Sequence, residues 1–570
     1  MNNIIRIDIA KKNYTINAQP DEYKEYGGKG FIAKFLNEEI DPKCDPLGAG
    51  NKLIIVRGLL GGTNAPNSGR ISLGGKSPLT GTVKESNSGG MAAHLIARLG
   101  IKAIIIDGKP EGDDWCIIKL GKNKVEFLQA DEYLGKNTYE TADALRKEHG
   151  EKICIMVIGA AGERQHKSAS VQITDMQGRP ARACGRGGLG ALMGSKKIKA
   201  IVIENAQESE VEYMDKALFT KGARGYAAGI KAHPVSGKVL STVGTAGNVN
   251  IINSIGALPT NNFSQGSSEM AEMLSGEHLA EIQKKRNGQT GHRCSPGCVV
   301  CCSNVYNDSE GNYISSGFEY ETIILNGSNC GIYNLDTVAK IDRMCDDFGI
   351  DTMETGCTIA VCMEAGVIPF GDEEGALALV QEMIDGTERG NVLAQGTKYA
   401  GEYFGLKRVP TIKGQAMAAY DPRSLKGTGV TQATSPMGAD HTAGNSLGAI
   451  PVLDPRSNDG QLKLSTMMQK EMANADNMGI CLFASFCLDD PDVAASFCDM
   501  LAGMYGGDWT MEKLMEMGEE TLRLEKKFNR RAGITDKDDG VPDFMKTEPL
   551  PPFNTVFDFT EEELESVLPF

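Results

Sequence analysis

Over the first two hundred residues the apolar positions fall in short β-branched runs closed off by Gly or Pro, which is the pattern of strands. The runs are Lys52–Leu59, Lys102–Asp107, Trp115–Leu120, Ile153–Ile158 and Lys199–Glu204. Helical spacing shows in only two segments here, Gly90–Leu99 and Tyr139–His149. Glycine-rich loops are expected at Gly58–Arg70, Gly74–Gly81 and Gly185–Gly194. The polar stretch Glu204–Glu212 has the composition of a linker, and beyond it the apolar period becomes helical. Helices are predicted at Leu335–Asp347, Ala376–Ile384, Val392–Phe404, Leu462–Ala475, Val493–Tyr505 and Met511–Phe528, the last with Thr510 as its N-cap. The tail is Pro-rich and then acidic, as suits a surface extension. The class is therefore α+β, with a β-rich domain over residues 1–205 and a mainly helical remainder.

Composition adds three constraints. The chain holds 68 Gly in 570 residues, well above the usual ~7%. They sit in short clusters among apolar runs, which fits backbone packed closely around something large, such as a cofactor; numerous turns are the plainer reading. A net charge of −16 argues against nucleic acid as a partner. No apolar run approaches the ~18 residues of a membrane span, and Met1–Arg6 lacks the apolar core of a signal peptide. A cytoplasmic location is expected, so the fifteen Cys are not read as a disulfide framework.

Two local patterns carry candidate chemistry. Asp346-Asp347-Phe348-Gly349-Ile350-Asp351 and Asp476-Asn477-Met478-Gly479-Ile480-Cys481 both follow helices and both read D-x-x-G-I-[D/C]. Each alone is an ordinary Gly-capped helix end. Four Cys fall within nine residues at Cys294, Cys298, Cys301 and Cys302, with Pro296 and Gly297 allowing the bend. Such thiolates suit zinc or an iron–sulfur cluster. Zinc would need a second close Cys pair, which the sequence lacks, whereas a cubic cluster takes three Cys from one loop and one from afar. Cys294, Cys298 and Cys302 are the expected three, with Cys301 competing for the third place. Cys481 is the attractive distant ligand because it ends the second repeat.

At this point the sequence resembles the tungsten-containing aldehyde:ferredoxin oxidoreductase family over nearly its whole length. The landmarks occur in order: Asn64-Ala65-Pro66, Ser68-Gly69-Arg70, Lys76-Ser77-Pro78-Leu79-Thr80-Gly81, Asn87-Ser88-Gly89-Gly90, Arg182-Ala183-Cys184-Gly185-Arg186-Gly187-Gly188-Leu189-Gly190, the cysteine loop, Glu319-Tyr320-Glu321-Thr322, Ala419-Tyr420-Asp421-Pro422-Arg423 and His441. The resemblance implies tungsten, or molybdenum, held by two pterins, with a 4Fe–4S cluster beside one of them. It implies that residues 1–205 form a base for this cofactor and that two helical domains, 206–410 and 411–570, close over it. On this reading Asp346 and Asp476 each accept from the N–H-rich edge of one pterin, with the backbone of Gly349-Ile350 and Gly479-Ile480 adding bonds. Asp351 closes one motif and Cys481 the other, which would put the cluster on one side. Arg70 and Arg182 are carried over as phosphate cations, with Asn87 and the Cys184–Gly190 backbone, including Gly185, beside them. Mg²⁺ bridging the phosphates is also implied.

The resemblance assigns Glu321 and His441 to acid–base work beside the metal, a carboxylate to activate water and an imidazole to polarise a carbonyl. Glu319 is the alternative carboxylate. The implied reaction interconverts an aldehyde and a carboxylic acid, with ferredoxin or a similar iron–sulfur carrier as electron partner, in a homodimer or a larger complex. Two features depart from the family. The loop spacing is Cys294-x3-Cys298-x3-Cys302, one residue longer in its first half. Lys340 stands where the family's intersubunit iron site has an acidic ligand. Two other readings compete: the active-site subunit of a larger tungsten reductase acting, for example, on an aromatic acyl-CoA, and a non-catalytic iron–sulfur electron carrier. The second requires decayed cofactor residues, and both D-x-x-G-I motifs and Arg182 are intact.

Overall fold

The computed structural model describes residues 2–206 and 211–570. Residues 207–210 of the expected linker lie outside that range; at its start Glu204 is still tied to the sheet, its N–H donating to the Leu120 carbonyl at 3.0 Å.

The first part of the chain builds two six-stranded sheets. The first contains β1 (Asn3–Asp8), β2 (Asn13–Ala18), β3 (Leu53–Arg57), β4 (Ile71–Lys76), β5 (Val83–Ser88) and β6 (Ile101–Asp107), in the order β2-β1-β6-β3-β4-β5. The second contains β7 (Cys116–Gly121), β8 (Lys124–Gln129), β9 (Cys154–Val157), β10 (Val171–Ile173), β11 (Arg182–Cys184) and β12 (Ile198–Ile203), in the order β8-β7-β12-β9-β10-β11. Adding six to each strand number of the first sheet gives the second. The pairing directions match as well: β1 with β6 and β7 with β12 are the parallel pairs, and every other pair is antiparallel. In both halves a short Asp-Glu-Tyr turn, Asp21–Tyr23 or Asp131–Tyr133, precedes a long helix, Gly28–Glu39 or Thr138–His149. The N-terminal domain is thus one unit built twice. The repeat went unrecognised in the sequence because strand alternation leaves few fixed identities; the D-E-Y pair was its one local trace.

All five predicted strands form, each within a few residues of its expected ends. Two expected loops form only in part. Gly74 and Gly75 lie inside β4, where a Cβ at Gly74 would stand 2.4 Å from Ile32 and one at Gly75 2.6 Å from the Lys52 carbonyl. Glycine is there for close approach rather than for a turn. Leu189–Ser195, inside the expected Gly185–Gly194 loop, is helical. The predicted helix Val392–Phe404 is two, Glu388–Leu393 and Thr397–Phe404, broken at Gly396, whose φ of 111° no helix tolerates.

Beyond residue 211 the chain is mainly helical. Lys216–Ala232 packs against Pro491–Tyr505 so closely that a Cβ on Gly222 would meet the Met500 amide nitrogen at 2.5 Å. One apolar core runs from Ala246 through the Tyr320–Asn326, Leu335–Phe348 and Thr352–Glu364 helices to Leu568. Thr510 caps Met511–Ala532 as expected, accepting from the Lys513 amide at 3.2 Å. A small sheet of Gln289–His292, Ser303–Asn307 and Tyr313–Ser316 holds the cysteine loop between its first two strands. Among the described residues no helix is long and apolar enough to cross a membrane.

Candidate cofactor and catalytic site

Each D-x-x-G-I turn docks on one of the duplicated sheets. Gly58, at the end of β3, abuts the second turn: a Cβ there would lie 2.2 Å from the Gly479 nitrogen. The Leu59 and Leu60 amides donate to the Asn477 and Met478 carbonyls, both at 3.0 Å, and the Arg70 amide, just before β4, donates to Gly479 at 3.3 Å. Gly159, following β9, abuts the first turn, with a Cβ position 2.1 Å from the Phe348 carbonyl. The Ser170 amide, just before β10, donates to Gly349 at 2.9 Å. Much of the glycine excess near these turns therefore serves contact of backbone with backbone.

The second turn is well furnished. Asp476 accepts from Asn87 Nδ2 at 3.0 Å, and Asn87 Oδ1 accepts from Arg70 Nε. Fully buried Lys29 lies 3.9 Å from both Asp476 and Glu525. Burial pushes the Asp476 carboxyl up to about 8, with Glu85 adding and Lys29 and Arg70 opposing. At the first turn Asp346 has no cation so placed; burial, then Asp342, drives its carboxyl well above the usual range. Asp351 is occupied by the protein: it caps the Thr352–Glu364 helix through the Met353 amide at 2.9 Å and meets Arg186 Nε at 3.4 Å. The Cys184 thiol is fully buried in the core of the second sheet, so of this expected cofactor residue only the backbone remains available. Arg182, 7% exposed, leaves Nε and Nη2 without partners.

The cysteine loop is fixed by a residue that the motif reading passed over. Asn67, in the left-handed region at φ 56°, donates its amide to the Gly297 carbonyl at 3.0 Å. Its side-chain oxygen accepts from the Val299 amide at 2.8 Å, and its Nδ2 faces Cys298 Sγ at 3.6 Å. Its own carbonyl accepts from the Cys481 amide at 2.9 Å. One asparagine thereby brings the distant cysteine to the loop; its place inside Asn64–Arg70 was the available signal. A hydrogen bond with Cys298, opposed by burial and aided by Arg182 and Arg70, holds the Cys294 thiol below its ordinary value. Cys302 faces Glu319, Cys481 and Cys294, and its thiol is pushed up by burial first and then by these neighbours. Cys301 turns toward the Cys298 carbonyl at 3.7 Å and toward Arg293. Cys301 also meets the Cys298 thiol, so Cys301 and Cys302 both stand beside the other thiols of the loop.

Glu321 and His441, far apart in sequence, meet with Oε1 and Nε2 3.2 Å apart. The Tyr320–Asn326 helix presents the carboxylate, whose other oxygen accepts from the Ala419 amide at 2.8 Å. Burial raises the Glu321 carboxyl, opposed by His441, the Ala419 amide and Arg186. The Tyr420 ring lies against the imidazole with centroids 5.5 Å apart. Glu319 points elsewhere, accepting from Thr245 Oγ1 at 2.7 Å, with Arg182 and the cysteine loop as its charged neighbours. Arg186 also went unassigned in the sequence. Its guanidinium donates to the Ala439 carbonyl at 2.8 Å and the Ala416 carbonyl at 2.5 Å, so it ties the backbone before His441 to the strand leading to Ala419. Lys340 is exposed, in a surface cleft of about 810 Å³ with Asp308 and Arg343, apart from these groups.

Buried polar atoms left unpaired point to a missing polar ligand. Here they include Arg182 Nε and Nη2 and His441 Nδ1. A large, hydrogen-bonding, anionic group would satisfy the guanidinium, so the residues present fit a pterin phosphate and its metal centre.

The fold and these residues define a cofactor-binding oxidoreductase scaffold. Residues 4–205 match the family model for the aldehyde ferredoxin oxidoreductase N-terminal domain, and residues 222–569 match that for its domains 2 and 3. The chain is 34% identical to the tungsten-containing aldehyde ferredoxin oxidoreductases of Pyrococcus furiosus and Thermococcus kodakarensis, over 96% of this chain and 91% of each relative. It is 27% identical, over 75% of its length and 72% of the relative's, to the WOR-like subunit of an aliphatic sulfonate oxidoreductase of Pyrococcus furiosus. The active site complex BamBC of benzoyl coenzyme A reductase, solved with 1,5-dienoyl-CoA, shares the fold with a TM-score of 0.81 at 19% identity, covering 99% of this chain and 92% of that one. The chain belongs to the aldehyde ferredoxin oxidoreductase family.

Proposed function

We propose that this protein oxidises an aldehyde to a carboxylic acid, or runs the reverse reaction, at a tungsten or molybdenum bis-pterin centre. A 4Fe–4S cluster would carry the electrons to ferredoxin or a similar carrier. The observation that carries the reading is the buried Glu321–His441 pair, whose Oε1 and Nε2 lie 3.2 Å apart and whose His441 Nδ1 has no hydrogen-bond partner. The balance is one aldehyde and one water giving one acid, two electrons and two protons. Residues 1–205 form the base, and 206–410 and 411–570 the two covering domains.

Asp346, Asp476 and the turn backbones at Gly349-Ile350 and Gly479-Ile480 would hold the two pterins. Arg70, Asn87, Arg182 and the Gly185 turn would hold their phosphates, with Mg²⁺ between them. Cys294, Cys298, Cys302 and Cys481 would hold the cluster. When bound, the metal centre supplies two-electron chemistry at the carbonyl carbon, and the rest falls to this chain. Burial raises the Glu321 carboxyl, which makes it a stronger base once ionised. It takes a proton from water at Oε1, while Ala419 holds Oε2 in place. His441, oriented by Tyr420, donates a hydrogen bond to the carbonyl oxygen and receives the proton that leaves with oxidation. The alignment of both groups depends on Arg186 through Ala416 and Ala439.

The test is anaerobic purification from cells supplied with both metals. Elemental analysis should give about one W or Mo and four Fe per chain, with phosphorus in excess, and an aldehyde panel with a small dye acceptor should show turnover. Iron without W, Mo or phosphorus refutes the reading, as does turnover of an acyl-CoA thioester with none of any aldehyde.

A further inference from the structure

Between Lys216 and Ser268 there is no Asp or Glu, in a chain where 75 of 570 residues are acidic. The same stretch carries Lys216, Lys221, Arg224, Lys231 and Lys238, all exposed. Lys221 pairs with Asp499, Asp489 faces His233, and Glu319 accepts from Thr245. Arg224, Lys231 and Lys238 have no carboxylate within ion-pair distance among the described residues.

The fold places this stretch over the cysteine site. Ser236 Oγ donates to the Phe483 carbonyl at 2.6 Å, two residues beyond Cys481. Gly244 abuts the other side, where a Cβ would lie 2.8 Å from the Cys302 carbonyl oxygen. Gly291, in the strand entering the loop, would bring a Cβ within 2.9 Å of the Ser241 carbonyl. Residues 236–244 therefore bridge the two arms that supply the thiols and form one layer of chain between them and solvent. On the outer side Val235 is 39% and Val239 46% exposed, and Lys238 stands between them. Exposed Arg293 and Gly297 of the loop itself complete the face.

We propose that this face, from Lys231 to Gly244 with Arg293, is the docking surface for an acidic electron-carrier protein of the iron–sulfur type. The proposal rests on the electron path given above and adds its exit point. A chain of charge −16 repels an acidic carrier at long range, so productive encounter requires a patch of the opposite sign, and small exposed aliphatics at its centre give a desolvated contact. The patch lies beside the cysteine site, as an exit route for electrons requires.

The test compares the native protein, Lys231→Glu/Lys238→Glu, and a control of equal charge change on remote exposed lysines, Lys147→Glu/Lys463→Glu. The probe is a purified acidic 4Fe–4S ferredoxin, titrated anaerobically at low ionic strength. The native dissociation constant should rise with salt. The patch variant should bind at least about tenfold more weakly and lose most of that salt dependence, while the control stays within about twofold of native. Iron content and oxidation of the reduced protein by a small neutral quinone should be equal in all three. Equal ferredoxin binding by native and patch variant overturns the proposal, as does equal weakening in the control, which would make net charge the cause. If the patch variant changes oligomeric state with ferredoxin binding unaltered, the face joins copies of this chain and the proposal also fails. Failure of the aldehyde panel with patch-dependent binding intact would instead refute the proposed reaction alone.

Discussion

Arg186→Met removes the guanidinium that ties four parts of the site together while keeping side-chain volume. In the native protein Arg186 holds the Ala439 and Ala416 carbonyls and stands 3.4 Å from Asp351 and 3.7 Å from Glu354, both carboxylates being almost fully buried. Met leaves the Ala416 carbonyl without the guanidinium and two buried acids short of a counter-charge, while the Ala439 carbonyl keeps Gln415 Nε2 at 2.6 Å. Removing one partner of a buried ion pair costs about 3–5 kcal/mol. Each orphaned acceptor adds about 1–3 kcal/mol. Glu354 keeps the Thr397 and Ala416 amides, at 3.0 and 2.6 Å, and Asp351 keeps Met353, so the lower end applies. A loss of about 4 kcal/mol is expected, or on the order of 3 °C in apparent melting temperature for a chain of this length.

The sign of the pH dependence follows from the two acids. Burial already raises both carboxyls in the folded protein, and Arg186 is the main opposing influence. Without it they rise further, so the folded state binds more protons than the unfolded state above the ordinary carboxylate range, and stability falls as pH rises. The gap between native and variant should therefore be widest near pH 8 and narrow toward pH 5. Differential scanning calorimetry of both proteins across this range measures it. Melting within about 1 °C of native at pH 8, or a gap that widens toward pH 5, would refute the reasoning. Arg186→Lys restores one charge without the fork and should recover part of the loss.

Four further outcomes are expected. His441→Ala and Glu321→Gln should each lower aldehyde turnover by about 10²–10⁴-fold with iron and tungsten content unchanged; turnover within a few-fold of native removes that residue from the mechanism. Cys481→Ala should lose the cluster's visible absorption and most of the iron while Cys301→Ala keeps both, and the reverse result would exchange their assignments. Gly58→Ala and Gly159→Ala put a Cβ 2.2 and 2.1 Å from the backbone of the two turns, so each should cost about 1–3 kcal/mol, read as a lowered melting temperature; unchanged melting would mean the turns are free to shift. Glu525 is fully buried with no hydrogen bond to either oxygen and Lys29 3.9 Å away, and burial pushes its carboxyl up to about 7. It stabilises the fold in its protonated form and loses that contribution as pH rises through about 7, so Glu525→Gln should flatten the stability profile between about pH 4.5 and 7; an unaltered slope would place the proton elsewhere.

Much of this arrangement was legible in the sequence wherever a motif is contiguous. The cysteine loop, both D-x-x-G-I turns and the β-to-helical change after residue 205 need only local pattern. The duplication of the sheets was not legible, because strand pairing fixes polarity and size rather than identity. Glu319 and Glu321 could not be separated either. They sit two residues apart, and only the start of the Tyr320–Asn326 helix sends one toward Thr245 and the other toward His441. Asn67, between two quoted motifs, and Arg186, inside one, had no role in the sequence because their partners, Cys481 and Ala439, lie hundreds of residues away. Val392–Phe404 had the right period throughout, but a single Gly396 at positive φ overrode it.

The duplicated base also accounts for the asymmetry of the two turns. Each turn offers its sheet the same bond, from the residue after Ile: the Cys481 amide donates to the Asn67 carbonyl at 2.9 Å and the Asp351 amide to the Ser168 carbonyl at 3.0 Å. The backbone is nearly equivalent at the two places, so the difference must come from side chains. On one side the acceptor residue is Asn67, whose amide group reaches out to Val299 and Cys298, and the donor carries a thiol. On the other the acceptor is Ser168, whose hydroxyl is turned to the Ala394 carbonyl at 2.7 Å, and the donor's carboxylate caps its own helix and meets Arg186. A fold made by repeating one unit gives two similar seats, and the side chains at these two positions, together with the cysteine loop that Asn67 holds, set one seat apart from the other. Exchanging Cys481 for Asp alone would not make the seats equal, because Asn67 would still hold the cysteine loop against the first.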